Sequence, residues 1–233
     1  MSKNYQGPFV SRGGEKLRGA LSDFALDVNG KRALDIGAST GGFTDCLLQA
    51  GAAQVVSLDV AYGQFAWKLR NDERVRVVER TNIKYADLAE LGAPFDVVVA
   101  DLSFISLATI AEQLKVAAGD RGDLVLLVKP QFEAAREEVG QGGVIRDAAT
   151  HSAVLGRLGK AFREVGIAPQ GWTHSPLRGP KGNIEFWLWA KVLTDVSEAL
   201  AGGGECATIE EVVRVAHERA GRTGDDGEVS ADI

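Results

Sequence analysis

The chain has 233 residues, 45% of them hydrophobic, which is enough for one domain of ordinary size with a substantial core. The formal net charge is −6, but the segment after Thr194 contains ten acidic residues and three arginines and so accounts for −7 of it. The rest of the chain has a net charge of +1, so the overall charge does not exclude binding to nucleic acid. No apolar run reaches transmembrane length, the N-terminus lacks a signal-peptide pattern, and neither Cys46 nor Cys206 has metal or redox spacing, so we expect a cytoplasmic protein without a metal site.

Apolar runs alternate with helical patterns along the chain. After a polar start, helices are predicted over 15–26, 43–51, 64–69, 85–91, 106–118 and 150–165, and strands near 33–35, 54–60, 75–79, 95–100, 123–128, 167–174 and 184–192. This alternation is typical of a parallel sheet covered by helices on both faces, and a tight turn at 179–182 predicts an antiparallel finish. The glycine-rich, charged break at 131–149 is long enough to indicate a functional loop.

The stretch ALDIGASTGGF at 33–43 is the centre of this pattern, because it predicts a strand, a tight turn and the start of a helix. Its glycines, Gly37, Gly41 and Gly42, lack the spacing of a dinucleotide site, and Asp35 adds a negative charge that would repel phosphate. S-adenosyl-L-methionine carries an ammonium, a sulfonium and a carboxylate but no phosphate, and a helix N-terminus can receive the carboxylate. The stretch therefore predicts an S-adenosylmethionine site, with a glycine-rich turn that binds nothing as the alternative.

A second acid, Asp59, ends the next apolar run, close to the roughly 20-residue offset at which a carboxylate holds ribose hydroxyls. Asn82, after the third strand, could bond the adenine amino group, although a polar turn residue is an equally good interpretation. The predicted cofactor contacts are Asp35, Gly37, Ala38, Ser39, Gly41, Gly42, Phe43, Asp59, Asn82 and Asp101.

Four predicted strand ends carry an ionisable residue, namely Asp35, Asp59, Asp101 and Lys129. Ligands of an open α/β sheet bind outside the carboxyl ends of its strands, so the four together predict a site, although each alone could be a solvated strand end. Lys129 directly follows a buried-type run at 124–128, so its stem leaves the core.

Two more charged residues are less decisive when taken alone. Glu185 interrupts an apolar run and alternates onto the face of Trp187 and Trp189, but it could instead be a solvent-facing residue of an edge strand. Lys16 by itself would be an exposed lysine on a helix.

Five motifs in sequence group these residues. They are SRGGEKL at 11–17, DIGASTGGF at 35–43, DLSF at 101–104, KPQFE at 129–133 and GPKGNIE at 179–185. From about residue 11 to 191 the chain resembles the TlyA-type proteins, a family often labelled haemolysin that belongs to the FtsJ-like RNA ribose 2′-O-methyltransferases. The resemblance implies a Rossmann-like α/β methyltransferase fold with a seven-stranded, mostly parallel sheet. It also implies a Lys-Asp-Lys-Glu catalytic set, carried by Lys16, Asp101, Lys129 and Glu185.

The chemistry of methyl transfer to a ribose agrees with that set. The 2′-hydroxyl must lose its proton as it attacks, and a lysine of reference pKa about 10.4 accepts it only where its cation is disfavoured. We expect Lys129 to orient and deprotonate the hydroxyl, Asp101 to hold Lys129 near the methyl donor, and Lys16 with Glu185 to complete the network. Residues expected to contact phosphates, each also readable as a surface charge, are Arg12, Arg18, Arg178 and Lys181.

The resemblance has two departures. Family members typically carry a small S4-like RNA-binding module ahead of the methyltransferase, whereas only about ten residues precede Ser11 here, so we expect a truncated chain or a branch that lost the module. We divide the chain into a methyltransferase domain at 1–193 and an acidic extension at 194–233. In the extension, the capping box of Thr208 and Glu211 predicts a helix over 208–220, followed by a disordered end.

The leading hypothesis is a methyltransferase that acts on RNA, most plausibly ribosomal RNA or ribosomal subunits, in an oligomeric state that the sequence does not indicate. One alternative is action on another RNA. A second is a haemolysin acting at membranes, which lacks any matching segment in the sequence, and a third is cofactor binding without catalysis.

Overall fold

The computed structural model describes residues 5–120, 122–193 and 207–225, and this part of the chain contains one mixed seven-stranded sheet. The strand order is β3-β2-β1-β4-β5-β7-β6, and β7 is antiparallel to both of its neighbours. The fold class predicted from the sequence is therefore confirmed. The strands are β1 (Arg32–Ile36), β2 (Gln54–Leu58), β3 (Val75–Val78), β4 (Val97–Ala100), β5 (Asp123–Val128), β6 (Ile167–His174) and β7 (Phe186–Val192).

Helices cover both faces of the sheet, and most lie where the sequence placed them. The predicted helix over 106–118 divides into a 3₁₀ turn, Leu107–Ile110, and an α-helix, and the Ser106 hydroxyl caps the first turn by accepting from Ala108 N at 3.2 Å. The predicted loop at 131–149 contains short helical turns. The helices are α1 (Arg12–Asp23), α2 (Gly42–Gln49), α3 (Trp67–Arg70), α4 (Leu88–Leu91), α5 (Ala111–Ala118), α6 (Pro130–Glu133), α7 (Ala148–Glu164) and α8 (Ile209–Asp225).

Strand β4 is apolar throughout because it supplies side chains to two cores. In β4, Val98 and Ala100 pack with α5 and α7, whereas Val97 and Val99 face the side covered by α1 and α2. All four side chains are at most 1% exposed. Burial on both faces explains why polar and apolar residues do not alternate along this strand. The same lack of alternation is what allowed a parallel sheet to be predicted from the sequence.

The C-terminal helix α8 joins the first of these cores. Val212, Val213 and Ala216 are buried with the side chains of α7 and β6, and Glu211 N donates to the Thr208 hydroxyl at 3.2 Å, as the capping box predicted. The helix continues to Asp225 instead of ending at residue 220. The division at 193/194 stays a prediction, and residues 194–206 and the end predicted to be disordered, at 226–233, lie outside the described residues.

Candidate active site

The glycines of the turn after β1 each have a separate steric reason. Gly37 has φ +85°, and a methyl group there would lie 2.4 Å from the carbonyl oxygen of Asp101. Gly41 has φ +94°, and a methyl group would lie 2.5 Å from Leu69. At Gly42 it would lie 2.3 Å from the Ser11 hydroxyl, so this glycine lets the start of α1 pack directly on the start of α2. The turn thus leaves backbone close to the ends of both β1 and β4.

Asp59 closes one side of a cavity beside this turn. Its two carboxylate oxygens accept from Ser39 N and from Ala61 N, each at 2.7 Å, so the carboxylate is fixed at the end of β2. The cavity, called here the Asp59 cavity, has a volume of about 480 Å³ and is also lined by Gly37, Asn82 and Asp101. Asn82 Oδ1 accepts from Lys84 N at 3.0 Å, so this residue is a turn cap as well as part of the lining.

Asp35 was predicted from the sequence to contact the cofactor, but its side chain does not line the cavity. It is the penultimate residue of β1 and fully buried, and its Oδ2 accepts from the backbone nitrogen and the hydroxyl of Thr44 at 3.0 and 2.7 Å. Burial raises the pKa of this carboxyl to about 7, despite the two hydrogen bonds. Asp35 therefore supports α2 from beneath the turn. Phe43 is likewise a core residue, with its ring 5.4 Å from that of Trp187, although its edge reaches the site.

Two lysine–acid ion pairs meet beside the turn. Lys129 Nζ lies 2.6 Å from Asp101 Oδ1 and donates to the Ser103 hydroxyl at 3.0 Å, and Lys16 Nζ pairs with Glu185 Oε2. Lys16 and Glu185 are 7% and 1% exposed. This burial excludes the alternative interpretations, in which Lys16 is an exposed helix residue and Glu185 faces solvent. Burial raises the pKa of Glu185, while Lys16 opposes this and Asp101 adds to it. We call Lys16, Asp101, Lys129 and Glu185 the tetrad.

The sheet and its last turn place Glu185 in the tetrad. Val128 pairs with Phe186 across the antiparallel β5–β7 ladder. Lys129 follows Val128 and Glu185 precedes Phe186, so the two residues lie at the same end of the sheet. A methyl group at Gly179 would lie 2.6 Å from Glu185 Oε1, so the turn fits closely over this carboxyl. The turn is tied to the loop at 131–149 by Asn183, which donates to Gly143 O at 2.9 Å and accepts from Ile145 N at 3.0 Å.

Two of the four predicted phosphate contacts reach the site. Arg12 and Arg178 line a second cavity of about 670 Å³ together with Lys16, Gly37 and Asp101, which we call the Lys16 cavity. Arg12 Nη2 donates to the carbonyl of Arg178 at 2.8 Å.

The other two predicted phosphate contacts lie outside both cavities. Arg18 projects elsewhere, with its guanidinium 5.2 Å from the centre of the Phe9 ring. Lys181 is exposed, and its ammonium lies near Gly143.

Sequence reasoning missed three residues of the DLSF and KPQFE motifs. Ser103 binds Lys129, and Phe104 is 90% exposed at the Asp59 cavity, with φ +65° and its ring 5.0 Å from that of Phe132. Glu133 accepts from the hydroxyl of Ser106 at 2.6 Å and thereby anchors the loop that carries them. The motifs identified these residues, but nothing in the sequence indicated the left-handed backbone of Phe104.

Residues 5–120, 122–193 and 207–225 contain no group of three or more histidine, cysteine, aspartate or glutamate side chains that could hold a metal ion. No helix in this part of the chain has the length and apolarity needed to cross a membrane.

The seven-stranded sheet, the glycine turn and Asp59 are the features of an S-adenosylmethionine-dependent methyltransferase. A comparison with family models agrees with this class, because the model of the FtsJ-like methyltransferases matches residues 9–192. The chain belongs to the FtsJ-like methyltransferase family. The family resemblance inferred from the five motifs is thus confirmed.

Individual relatives are more specific. The 16S/23S rRNA (cytidine-2′-O)-methyltransferase TlyA of Mycobacterium tuberculosis is 51% identical over 187 residues, which cover 80% of this chain and 70% of that protein. YqxC of Bacillus subtilis, a proposed rRNA methyltransferase, is 46% identical over 212 residues, covering 90% and 73%. The solved structure of a proposed hemolysin from Streptococcus thermophilus is 38% identical with a TM-score of 0.86, and the match covers 96% of this chain and 79% of that one.

Proposed function

We propose that this protein transfers a methyl group from S-adenosyl-L-methionine to a ribose 2′-hydroxyl of ribosomal RNA. The observation that carries the proposal is the tetrad, in which two ion pairs meet beside the glycine turn. The TlyA and YqxC relatives support ribosomal RNA as the substrate class.

The Asp59 cavity fits the methyl donor. Asp59 is fixed by two backbone nitrogens, and each of its oxygens keeps a lone pair that can accept from a ribose hydroxyl. Gly37 and Ser39 would present backbone to the methionine part, and Asn82 lies where it could meet the base. When bound, the cofactor supplies an electrophilic methyl group close to the tetrad. Asp35 would act indirectly, because it holds α2 in place from below.

The tetrad residues would prepare the attacking oxygen. Asp101 and Ser103 hold the Lys129 side chain from two directions, which fixes Nζ where a 2′-hydroxyl could donate to it. Lys129 would first release a proton to solvent; its neutral amine would then accept the proton of the hydroxyl, and Asp101 would stabilise the resulting ammonium. Lys16, held by Glu185, would orient the ribose. Positioning of this kind supplies much of the rate in an in-line displacement.

RNA as substrate is supported by the rim of the site. The Phe104 ring is exposed and braced by Phe132, so it offers a face on which a nucleotide base could stack. Arg12 and Arg178 add two guanidinium groups at the Lys16 cavity, where they could contact phosphates.

The test is to incubate the protein with radiolabelled S-adenosylmethionine and, separately, with small subunits, large subunits and naked ribosomal RNA. We expect label at a ribose that then resists alkaline cleavage. Lys129→Ala should lower transfer by about 10²–10⁴-fold, which is the usual contribution of a general base, with cofactor affinity nearly unchanged. Phe104→Ala should weaken transfer less than Lys129→Ala does.

Lys160→Ala is the matched control, because Lys160 is an exposed lysine on α7 with a side chain that is 78% exposed. Full activity of Lys129→Ala would contradict the role of Lys129. Absence of label in every RNA, despite cofactor binding, would contradict the proposed substrate.

A further inference from the structure

The C-terminal helix α8 lies beyond residue 192, where the match to the family model ends, yet it packs on the methyltransferase core. Val213 and Ala216 are 2% and 3% exposed and contact the layer formed by α7 and β6. The family match therefore does not account for this helix, although it is built into the same domain.

The C-terminal part of α8 contacts Arg178, one of the two arginines of the active site. Arg178 donates from Nη2 to the carbonyl of Ala220, and the carbonyl of Arg178 accepts from Arg12. Both arginines line the Lys16 cavity. A continuous series of hydrogen bonds thus runs from α8 through Arg178 to Arg12.

All three histidines of the chain lie near the contact of α8 with the core. His151 of α7 is fully buried, and its Nδ1 lies 2.9 Å from Nε2 of His217 on α8. His174, at the end of β6, lies with its Nε2 3.0 Å from Nη1 of Arg219. These polar contacts fix the rotation of α8, and hence the direction of the Ala220 carbonyl, more specifically than apolar packing alone.

We propose that α8 is a positioning element for RNA, which holds the guanidinium of Arg178 at the mouth of the Lys16 cavity so that Arg178 and Arg12 bind phosphates of the substrate. The inference rests on the proposed function and adds to it a source of substrate affinity outside the family domain. An arginine on a turn loses much rotamer freedom when it binds, so fixing it beforehand favours binding. One of the five N–H donors of Arg178 is used by Ala220, and a guanidinium presents its donors as a planar fork that suits phosphate.

The experiment is a double-mutant cycle between α8 and Arg178. Steady-state methylation is measured with the ribosomal particle or RNA that accepts label, in unaltered protein, His217→Ala, Arg178→Ala and the double variant. We expect KM for RNA to rise about 10-fold in Arg178→Ala and several-fold in His217→Ala, with kcat and cofactor Kd nearly unchanged. The double variant should resemble Arg178→Ala, because loosening α8 has no further effect once its target side chain is absent.

Three further variants keep this test interpretable. Arg214→Ala is the matched control, because Arg214 lies on the outer face of α8 and pairs with the exposed Glu218. His217→Gln should restore a low KM, and Val213→Ala should repeat the effect of His217→Ala through packing instead of hydrogen bonding.

The possible failures are distinguishable. Additive effects in the double variant, an unchanged KM in both α8 variants, or an equal loss of cofactor affinity would overturn the positioning role while methylation by the unaltered protein stands. Absence of methylation by the unaltered protein with every RNA would overturn the proposed function and this inference with it.

Discussion

The two sides of the site differ in how the chain builds them. The cofactor side is nearly contiguous, since the turn after β1 and Asp59 lie within about 25 residues of each other. The tetrad is assembled from four distant segments, and the Lys16–Glu185 pair joins residues 169 positions apart. The cofactor side therefore depends on local backbone conformation, whereas the tetrad depends on the complete sheet.

Each side also buries one carboxylate, and the two have different partners. Among the residues that the structure describes, the fully buried Asp35 side chain has hydrogen bonds only with the uncharged Thr44, whereas Glu185 is 1% exposed and paired with Lys16. Burial raises the pKa of both groups, but only at Glu185 does a neighbouring ammonium oppose the rise. Substitutions on the two sides should accordingly fail in different ways.

The largest effect on cofactor binding is expected at the glycine turn. Gly37→Ala would place a methyl group 2.4 Å from the Asp101 carbonyl at φ +85°, so the ends of β1 and β4 must separate. We expect cofactor affinity to fall by more than about 100-fold, since the strain adds to displaced binding groups. Isothermal titration with S-adenosylmethionine measures this directly.

Gly63→Ala is the matched control, because Gly63 also has a positive φ, +75°, but a methyl group there meets nothing within 4 Å. The Gly63→Ala variant therefore has the backbone strain of a positive φ without a steric clash of the added methyl group. Equal losses of affinity in the two variants would show that strain alone explains the effect, and that the close approach of Gly37 to Asp101 is unimportant.

The largest effect on stability is expected at the tetrad. Lys16→Met leaves Glu185 buried without its ammonium, which should lower the free energy of unfolding by about 3–5 kcal/mol. The double variant Lys16→Met with Glu185→Leu should recover most of that stability, because an apolar pair needs no charge compensation. It should nevertheless have no methyltransferase activity. Urea unfolding measures both stabilities. Lys160→Met, at an exposed pair with Glu164, should change stability by less than about 0.5 kcal/mol, and an equal loss there would contradict the argument.

The sequence was sufficient to predict the strands of the sheet, because long apolar runs bounded by charges indicate buried parallel strands. It was insufficient to predict which way individual side chains point. Asp35 precedes Ile36 in β1 and faces α2 instead of the cavity, and strand alternation could have shown this only once the covering helices were known. Arg18 is two positions after Lys16 on α1, about 200° away around the helix, so the two cannot share a face.

The arginine pair shows a different limit of sequence reasoning. Arg178 and Arg12 lie 166 positions apart, and their contact depends on a turn, on the start of α1 and on a helix beyond the family match. The backbone of Phe104 is similarly a result of tertiary packing, because a bulky residue adopts a positive φ only where its surroundings impose it.

The smallest effect should come from Asp35 and should depend on pH. Its pKa is about 7 in the folded protein and near the ordinary 3.8 when unfolded, so the folded state binds more protons between these values and its stability falls as pH rises through them. Asp35→Asn removes this dependence. The stability of the unaltered protein relative to the variant should therefore drop, on the order of 2 kcal/mol, between pH 5 and pH 8.

Urea midpoints of the two proteins at pH 5 and pH 8 measure this difference, and contributions of the histidines cancel in it. Asp72→Asn is the control, because hydrogen bonds from Arg74 lower the pKa of Asp72 to about 2, so that this acid does not titrate between the two pH values. A pH-independent difference between unaltered protein and Asp35→Asn would mean that the carboxyl is ionised at pH 5. A neighbouring positive charge or a water would then have to reach Oδ1, and the cofactor side would balance its buried acid much as the tetrad does.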